Sequence, residues 1–431
     1  MGLRDAGAQK EAPDKPPGIT TLVRGARQLL TLRAPGGRRG PRRGPDLNDL
    51  GIIPDGALLL RDGKVLQLGP TRRLENLVEA RKAEELNVAG RVVMPGFVDS
   101  HTHLPFPPSN AVPGGPADAA RAVLTSSASL LAARIRPHLE AMARHGTTTV
   151  EAKSGAGDNQ RAELKILRSM AGLSTVPVDL LRSYRMLSLD HGAFSEMEAA
   201  SKAMRVISEL LPLIRRRGLA FCADLEWEPR PALYPIFIRY LEAARLLGLQ
   251  RKVQDHHESA SGSVLAAVEN GALSIDHLAR ADPAEVRLLA RSPTLVTLLP
   301  ATILFGGGLP APARELIDAG VAVAMASNFN PVDSPIFNLQ TIVWMACRHL
   351  ELSPAEAISA ATINGAHALG VGDRVGSLER GKAADLLVLN VGDYRELGRS
   401  LGGNLVQLTM KGGHTVYRER EVKPRPVESP M

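Results

Sequence analysis

The chain has 431 residues, 44% hydrophobic and 23% charged, with a formal net charge of +7. That is a globular composition, long enough for two or three average domains or for one large α/β barrel with an addition, and no apolar run approaches the roughly 20 residues needed to cross a bilayer. A nucleic-acid partner is disfavoured: the one dense basic cluster, GGRRGPRRGP at residues 36–45, reads as an exposed loop, and only 2 Trp, 5 Tyr and 8 Phe are available as stacking platforms.

Residues 1–18 contain no apolar segment that would serve as a signal peptide and read as a disordered tail, so a cytoplasmic protein with no membrane partner is expected. ITTLVRGARQLLTL and DGALLLRDGKVLQLGP follow, short β-prone runs punctuated by Asp-Gly turns, within a stretch of 19–90. From about residue 91 to 330, eight apolar runs alternate with segments of helical period: RVVMPGFVDSHTH, TTTVEAKSG, VPVDLLRSYRM, GLAFCADLEWE, LQRKVQDHHE, ALSIDHLA, TLVTLLPA and VAVAMASNF. Eight strand–helix units predict an α/β fold, a (β/α)8 TIM-like barrel over 91–372. GSLERGKAADLLVLN and LVQLTMKGGHTVYRER, within 373–420, supply further short strands; with 19–90 they predict a small β-sandwich built from both chain ends, followed by a tail at 421–431. Cys222 and Cys347 are far apart in apolar surroundings and read as buried free thiols.

Each barrel run begins apolar and finishes polar, and the C-terminal ends of barrel strands are where such folds place chemistry. His101, His103, Lys153, Glu226, Glu228, Gln254, Asp255, His256, His257, His277, Asn328 and Asn330 would lie at or near one rim. His101 and His103 are two apart on one strand, so both rings project from one face and could share a metal ion. Such a pair alone is equally compatible with an ordinary polar patch.

PGFVDSHTHL, the barrel arrangement and GSLERGKAADLLVLN together resemble the amidohydrolase superfamily. Within it, ARQLLTL, LGIIPDGALLLRDGKVLQLGP, EAKSG, DHL, NFNP and ATINGAHALG are similar to the imidazolonepropionase family of cyclic-amide hydrolases, from about residue 20 to 420. The resemblance implies one divalent metal, zinc or iron, held by two histidines of the first strand, one ending the fifth and an aspartate ending the eighth, with a small-molecule substrate and a homodimer. His101 and His103 match. Gln254 stands for the third histidine, Asn328 for the aspartate and His257 for an acidic or amide residue that meets substrate, while Asn110, Ala156, Ser188, Val332 and Asp333 replace the family's other contacts and Asn330 is retained.

A bulge at the end of the fifth strand would let His256, or else His257, act as the third imidazole beside Gln254, with Glu226, Asp255, Glu258 or Asp333 as the lost carboxylate. His277 would then support the water or carbonyl, with His257 and Asn328 near the reacting atoms, and Lys153 would join Asn330 at the substrate or steady the barrel mouth. Two functions stay open: a diverged hydrolase of a carbon–nitrogen bond in a small cyclic amide other than imidazolonepropionate, and an inactive relative serving as a ligand-binding or assembly partner.

Overall fold

A computed structural model describes residues 20–33, 35–37, 40–104, 116–155, 160–173, 176–186, 195–227, 230–255, 261–305, 311–331 and 334–419. Sixteen strands are formed among them: β1 Thr20–Leu30, β2 Ile52–Arg61, β3 Lys64–Pro70, β4 Glu84–Asn87, β5 Val92–Pro95, β6 Phe97–Asp99, β7 Thr147–Lys153, β8 Asp179–Met186, β9 Cys222–Glu226, β10 Gln250–Gln254, β11 Ser274–Asp276, β12 Leu295–Leu298, β13 Val323–Met325, β14 Leu386–Leu389, β15 Val406–Lys411 and β16 His414–Arg418. They make two sheets. One runs β6 to β13 in chain order with every pairing parallel, which is the expected barrel. Its first and last strands meet beyond their C-terminal ends, where Thr102 bridges Phe329 and the His103 N–H donates to the Phe329 carbonyl at 2.7 Å.

The second sheet, in the order β16-β15-β14-β5-β1-β2-β3 with β4 added to β1, joins both ends of the described chain. Strict alternation along β2 sends Leu58 and Leu60 to one apolar layer and Leu59 to another, so both faces are covered. RVVMPGFVDSHTH, read from sequence as one strand, is two. β5 pairs with β1 and β14 in the terminal sheet while β6 pairs with β7, so the chain crosses into the barrel at Gly96 rather than at residue 91. Glycine is needed there because a Cβ would fall inside the Thr148 side chain.

Helices alternate with the barrel strands. The long helical run after β6 is divided by Ser127, whose side chain accepts the Leu130 N–H and caps Ala128–Arg144. Both cysteines are free thiols, Cys222 buried and Cys347 half-buried. No helix among the described residues is long and apolar enough to cross a membrane.

The basic cluster departs from expectation. Arg42 is 3% exposed and Arg43 half-buried, because their guanidiniums serve as caps for carbonyls: Arg42 donates to Leu32 and Arg43 to Ala290, Gly320 and Ser292. Asn364, from ATINGAHALG, completes this junction. It accepts the Arg42 N–H at 2.7 Å and donates to the Arg42 and Val323 carbonyls at 2.9 and 2.7 Å, tying the N-terminal segment to β13. With each buried bond worth about 1 kcal/mol net, Asn364→Ala should cost about 3 kcal/mol, read as a lowered urea midpoint at unchanged slope.

Candidate metal centre and the charge network beneath it

Side chains two apart on a strand share a face, and in this barrel the inner face is charged. Glu151 and Lys153 of β7, Asp224 of β9, Lys252 and Gln254 of β10 and Asp276 of β11 are all fully buried. The Lys153 Nζ lies 2.9 Å from Asp224, 3.3 Å from Glu151 and 3.5 Å from Asp276; the Lys252 Nζ lies 2.7 Å from Glu151 and 3.0 Å from Asp276 and donates to the Ser100 carbonyl at 2.7 Å. Ser183 and Ser274 donate to Glu151 and Asp276 at 2.5 and 2.7 Å. Burial alone would raise the Asp276 and Glu151 carboxyls. The two ammoniums outweigh it, holding both below the ordinary carboxylate range, while burial keeps Asp224 raised. Three carboxylates against two ammoniums leave one negative charge in excess.

The histidine pair stands on this network. The ring of His101, fully buried, donates Nδ1–H to Asp276 at 2.7 Å, and its Nε2 lies 3.1 Å from the Nε2 of His103. Burial, reinforced by the Lys153 ammonium, pushes His101 down to about 3, so the ring is neutral. Two Nε2 atoms that close, with the far nitrogen of one fixed by a carboxylate, form the separation and support that a shared divalent ion requires. Arg185 of β8 reaches the other side of the pair, Nη1 at 3.2 Å from His103 Nδ1 and Nη2 at 2.7 Å from Glu226.

The remaining predicted residues separate into several groups. The Gln254 amide donates to Asp224 and leaves its buried Oε1 without a hydrogen-bond partner, an oxygen at the third-ligand position. His277 is half-buried with its ring 4.9 Å from that of His101. His277 and Asn328 both take left-handed backbone, φ +64° and +54°, a strain that non-glycine residues adopt where the surrounding fold over-determines them. Asn330 exchanges backbone bonds with Ser334.

Lys153, expected to join Asn330 at the substrate or to steady the barrel mouth, is held among three carboxylates. Asp255, offered as a replacement carboxylate, is turned to the hydroxyls of Ser261 and Ser263, and Glu226 holds Arg185. His256, His257, Glu228, Glu258, Asp333, Asn110, Ala156, Ser188 and Val332 lie outside the described residues. Sequence reading missed Glu151, Lys252, Asp224, Asp276 and Arg185; for Glu151, Asp224 and Lys252 the signal was polar or charged residues two apart in VEAK, CADLE and RKVQ, where a barrel interior ordinarily has branched aliphatics, and Asp276 and Arg185, outside those runs, have no charged residue two positions away.

His101, Glu151 and Asp276 offer ligand atoms within 4.8 Å of one another. That trio makes a poor cation site, because both carboxylates already face Lys153 and Lys252 and His101 presents an N–H to Asp276. The pair of Nε2 atoms 3.1 Å apart, above an excess of buried negative charge, fits a divalent ion better.

The sequence profile of the Amidohydrolase family matches residues 92–217 and 244–416. The chain belongs to that family. It is an imidazolonepropionase-like member: the imidazolonepropionase of Geobacillus kaustophilus is 36% identical over 93% of this chain and 99% of its own length, and that of Deinococcus radiodurans 37% identical over 90% and 97%. Among solved structures, the guanine deaminase of E. coli superposes with a TM-score of 0.69 at 17% identity, covering 93% of this chain and all of that one, which shows the shared fold. The family places this amidohydrolase among hydrolases of carbon–nitrogen bonds other than peptide bonds.

Lys252→Met would leave Glu151 and Asp276 buried with one ammonium, and breaking such a pair costs about 3–5 kcal/mol. Both carboxyls are depressed in the native protein, so their stabilisation exists above the unfolded-state value and is lost as pH falls. In the variant burial raises them, and stability is regained on acidification. The deficit in urea midpoint against the native protein should therefore be larger at pH 8 than at pH 5; equal deficits would contradict the network.

Proposed function

We propose that this amidohydrolase opens a small cyclic amide other than imidazolonepropionate, using one divalent ion, zinc or iron, held by His101 and His103. The single observation that carries the reading is the 3.1 Å approach of the two Nε2 atoms with His101 braced by Asp276. A bound divalent ion supplies a polarised carbonyl and a water acidified toward neutrality.

The chain's own residues do the rest. Asp276 orients His101 so that its Nε2 lone pair faces the site, and the Gln254 Oε1 adds a neutral oxygen donor. His256 and His257, the sequence's candidates for a third imidazole, lie outside the described residues. Asn328, an amide in place of a carboxylate, orients water by hydrogen bonding and takes no proton. His277, whose ring stands 4.9 Å from that of His101, is the base that accepts it. Asn330 meets the substrate, and Arg185 reaches the far nitrogen of His103. The choice of substrate rests on Asn110, Ala156, Ser188, Val332 and Asp333, which stand where the resemblance implies the cation and hydroxyls that would hold an imidazolone with a propionate tail.

One observation favours a second reading, an inactive relative that binds a ligand or a partner: Gln254, a neutral amide where the resemblance implies a third imidazole, spends its N–H on Asp224. Metal analysis and turnover decide between them. Protein purified without chelator should carry about one equivalent of zinc or iron. It should also open imidazolone, hydantoin or lactam rings, followed by loss of ring absorbance, and His101→Ala should abolish the metal and lower turnover at least about 100-fold. A metal-free protein after reconstitution, inactive against the whole panel, would establish the second reading.

A further inference from the structure

We propose that Arg185 is a positioning residue that holds His103 as its Nε2–H tautomer and so keeps the imidazole pair closed on itself until a metal ion displaces the arrangement. The inference rests on the reading that His101 and His103 form the metal site. It concerns how this chain governs access to that site.

A guanidinium carries only donors. With Arg185 Nη1 at 3.2 Å from His103 Nδ1, that nitrogen must present its lone pair, and the ring hydrogen sits on Nε2. At the other end, the Asp276 carboxylate faces Lys153 and Lys252 and accepts from His101 Nδ1, so the lone pair of His101 is on Nε2. The 3.1 Å contact between the two Nε2 atoms is then a hydrogen bond from His103 to His101. Along this path Arg185 Nη1–H, His103 Nε2–H and His101 Nδ1–H each meet an acceptor.

Metal ligation needs lone pairs on both Nε2 atoms. His103 must shift its hydrogen to Nδ1, where it would meet the Arg185 N–H, donor against donor. Arg185 therefore has to withdraw from Nδ1. Glu226, at 2.7 Å from the other guanidinium nitrogen, keeps hold of it and provides a pivot. The carboxylate beneath His101 favours ligation by that ring, whereas the cation beside His103 opposes ligation by the other.

The test uses full-length protein stripped by chelator and labelled with 15N in histidine, His103 being assigned by loss of its signals in His103→Gln. Long-range 1H–15N correlation should find His103 protonated on Nε2 in the native apoprotein. In Arg185→Met the Nδ1–H form should become populated, and zinc affinity, measured by competition with a chromophoric chelator, should tighten about tenfold or more, the effect of removing one charged hydrogen bond. Arg185→Lys, which keeps a single charged donor, should fall between the two. An Nδ1–H tautomer in the native apoprotein, or native tautomer and native zinc affinity in Arg185→Met, overturns the proposal. Zinc bound by neither protein overturns it together with the metal centre, whereas zinc bound without turnover overturns only the hydrolase reading.

Discussion

Two ammonium groups set among three carboxylates in the middle of a barrel are the constraint to which the rest of the molecule conforms. A buried pair gains stability over its hydrophobic counterpart only when its geometry is good and its remaining donors and acceptors are satisfied, and losing one partner is far more damaging than never having had the pair. That demand is met from several strands at once: Lys153 and Lys252 take carboxylates from β7, β9 and β11 and the Ser100 carbonyl after β6, and Ser183 of β8 and Ser274 of β11 donate to the carboxylates. The strands are pinned in register by charge where a typical barrel relies on interdigitated aliphatic layers.

The same network reaches upward into the site. Asp276 is shared between two ammoniums below and the imidazole of His101 above, so the ring orientation that presents Nε2 to the mouth follows from the charge balance of the core. A second set of bonds closes the barrel at the same level. Asp99, buried and pushed up to about 6 chiefly by desolvation, accepts from the backbone and hydroxyl of Ser327, and Phe329 receives the His103 N–H. Asn328 stands between those two anchors, which accounts for its left-handed backbone: its neighbours are fixed to the first strand and it takes up the remaining twist.

The architecture was legible because a barrel repeats its instruction eight times, and misplacing one strand end changes little. The boundary at Gly96 was not legible, since VVMP and FVD are equally apolar and only the terminal strands β1 and β14, distant in sequence, claim the first of them. The spacing of the histidine pair announced a shared face, while its reading as a metal pair needed the family resemblance as well. The lysines were not read as core, because charge ordinarily marks solvent and the neutralising carboxylates come from other strands. In GGRRGPRRGP the exposed reading fails at Arg42 and Arg43 for a related reason: Arg43 caps carbonyl ends of the neighbouring barrel segments, and no local pattern announces an acceptor contributed by residues 290, 292 and 320.

This division bears on which residues carry information about chemistry. Glu151, Lys153, Lys252 and Asp276 would be costly to lose in any protein with this core, active or not, and so they speak for stability. His101 is partly in the same position, since removing it leaves an Asp276 oxygen short of a donor. His103 is different. Its ring nitrogens meet the site: Nε2 lies 3.1 Å from that of His101, and Nδ1 lies 3.2 Å from the Arg185 guanidinium. A polar ring set there with both nitrogens engaged does nothing for the charge balance of the interior, so its place at the mouth is explained by what it does beside His101, which is to complete a pair of nitrogens able to face a single ion.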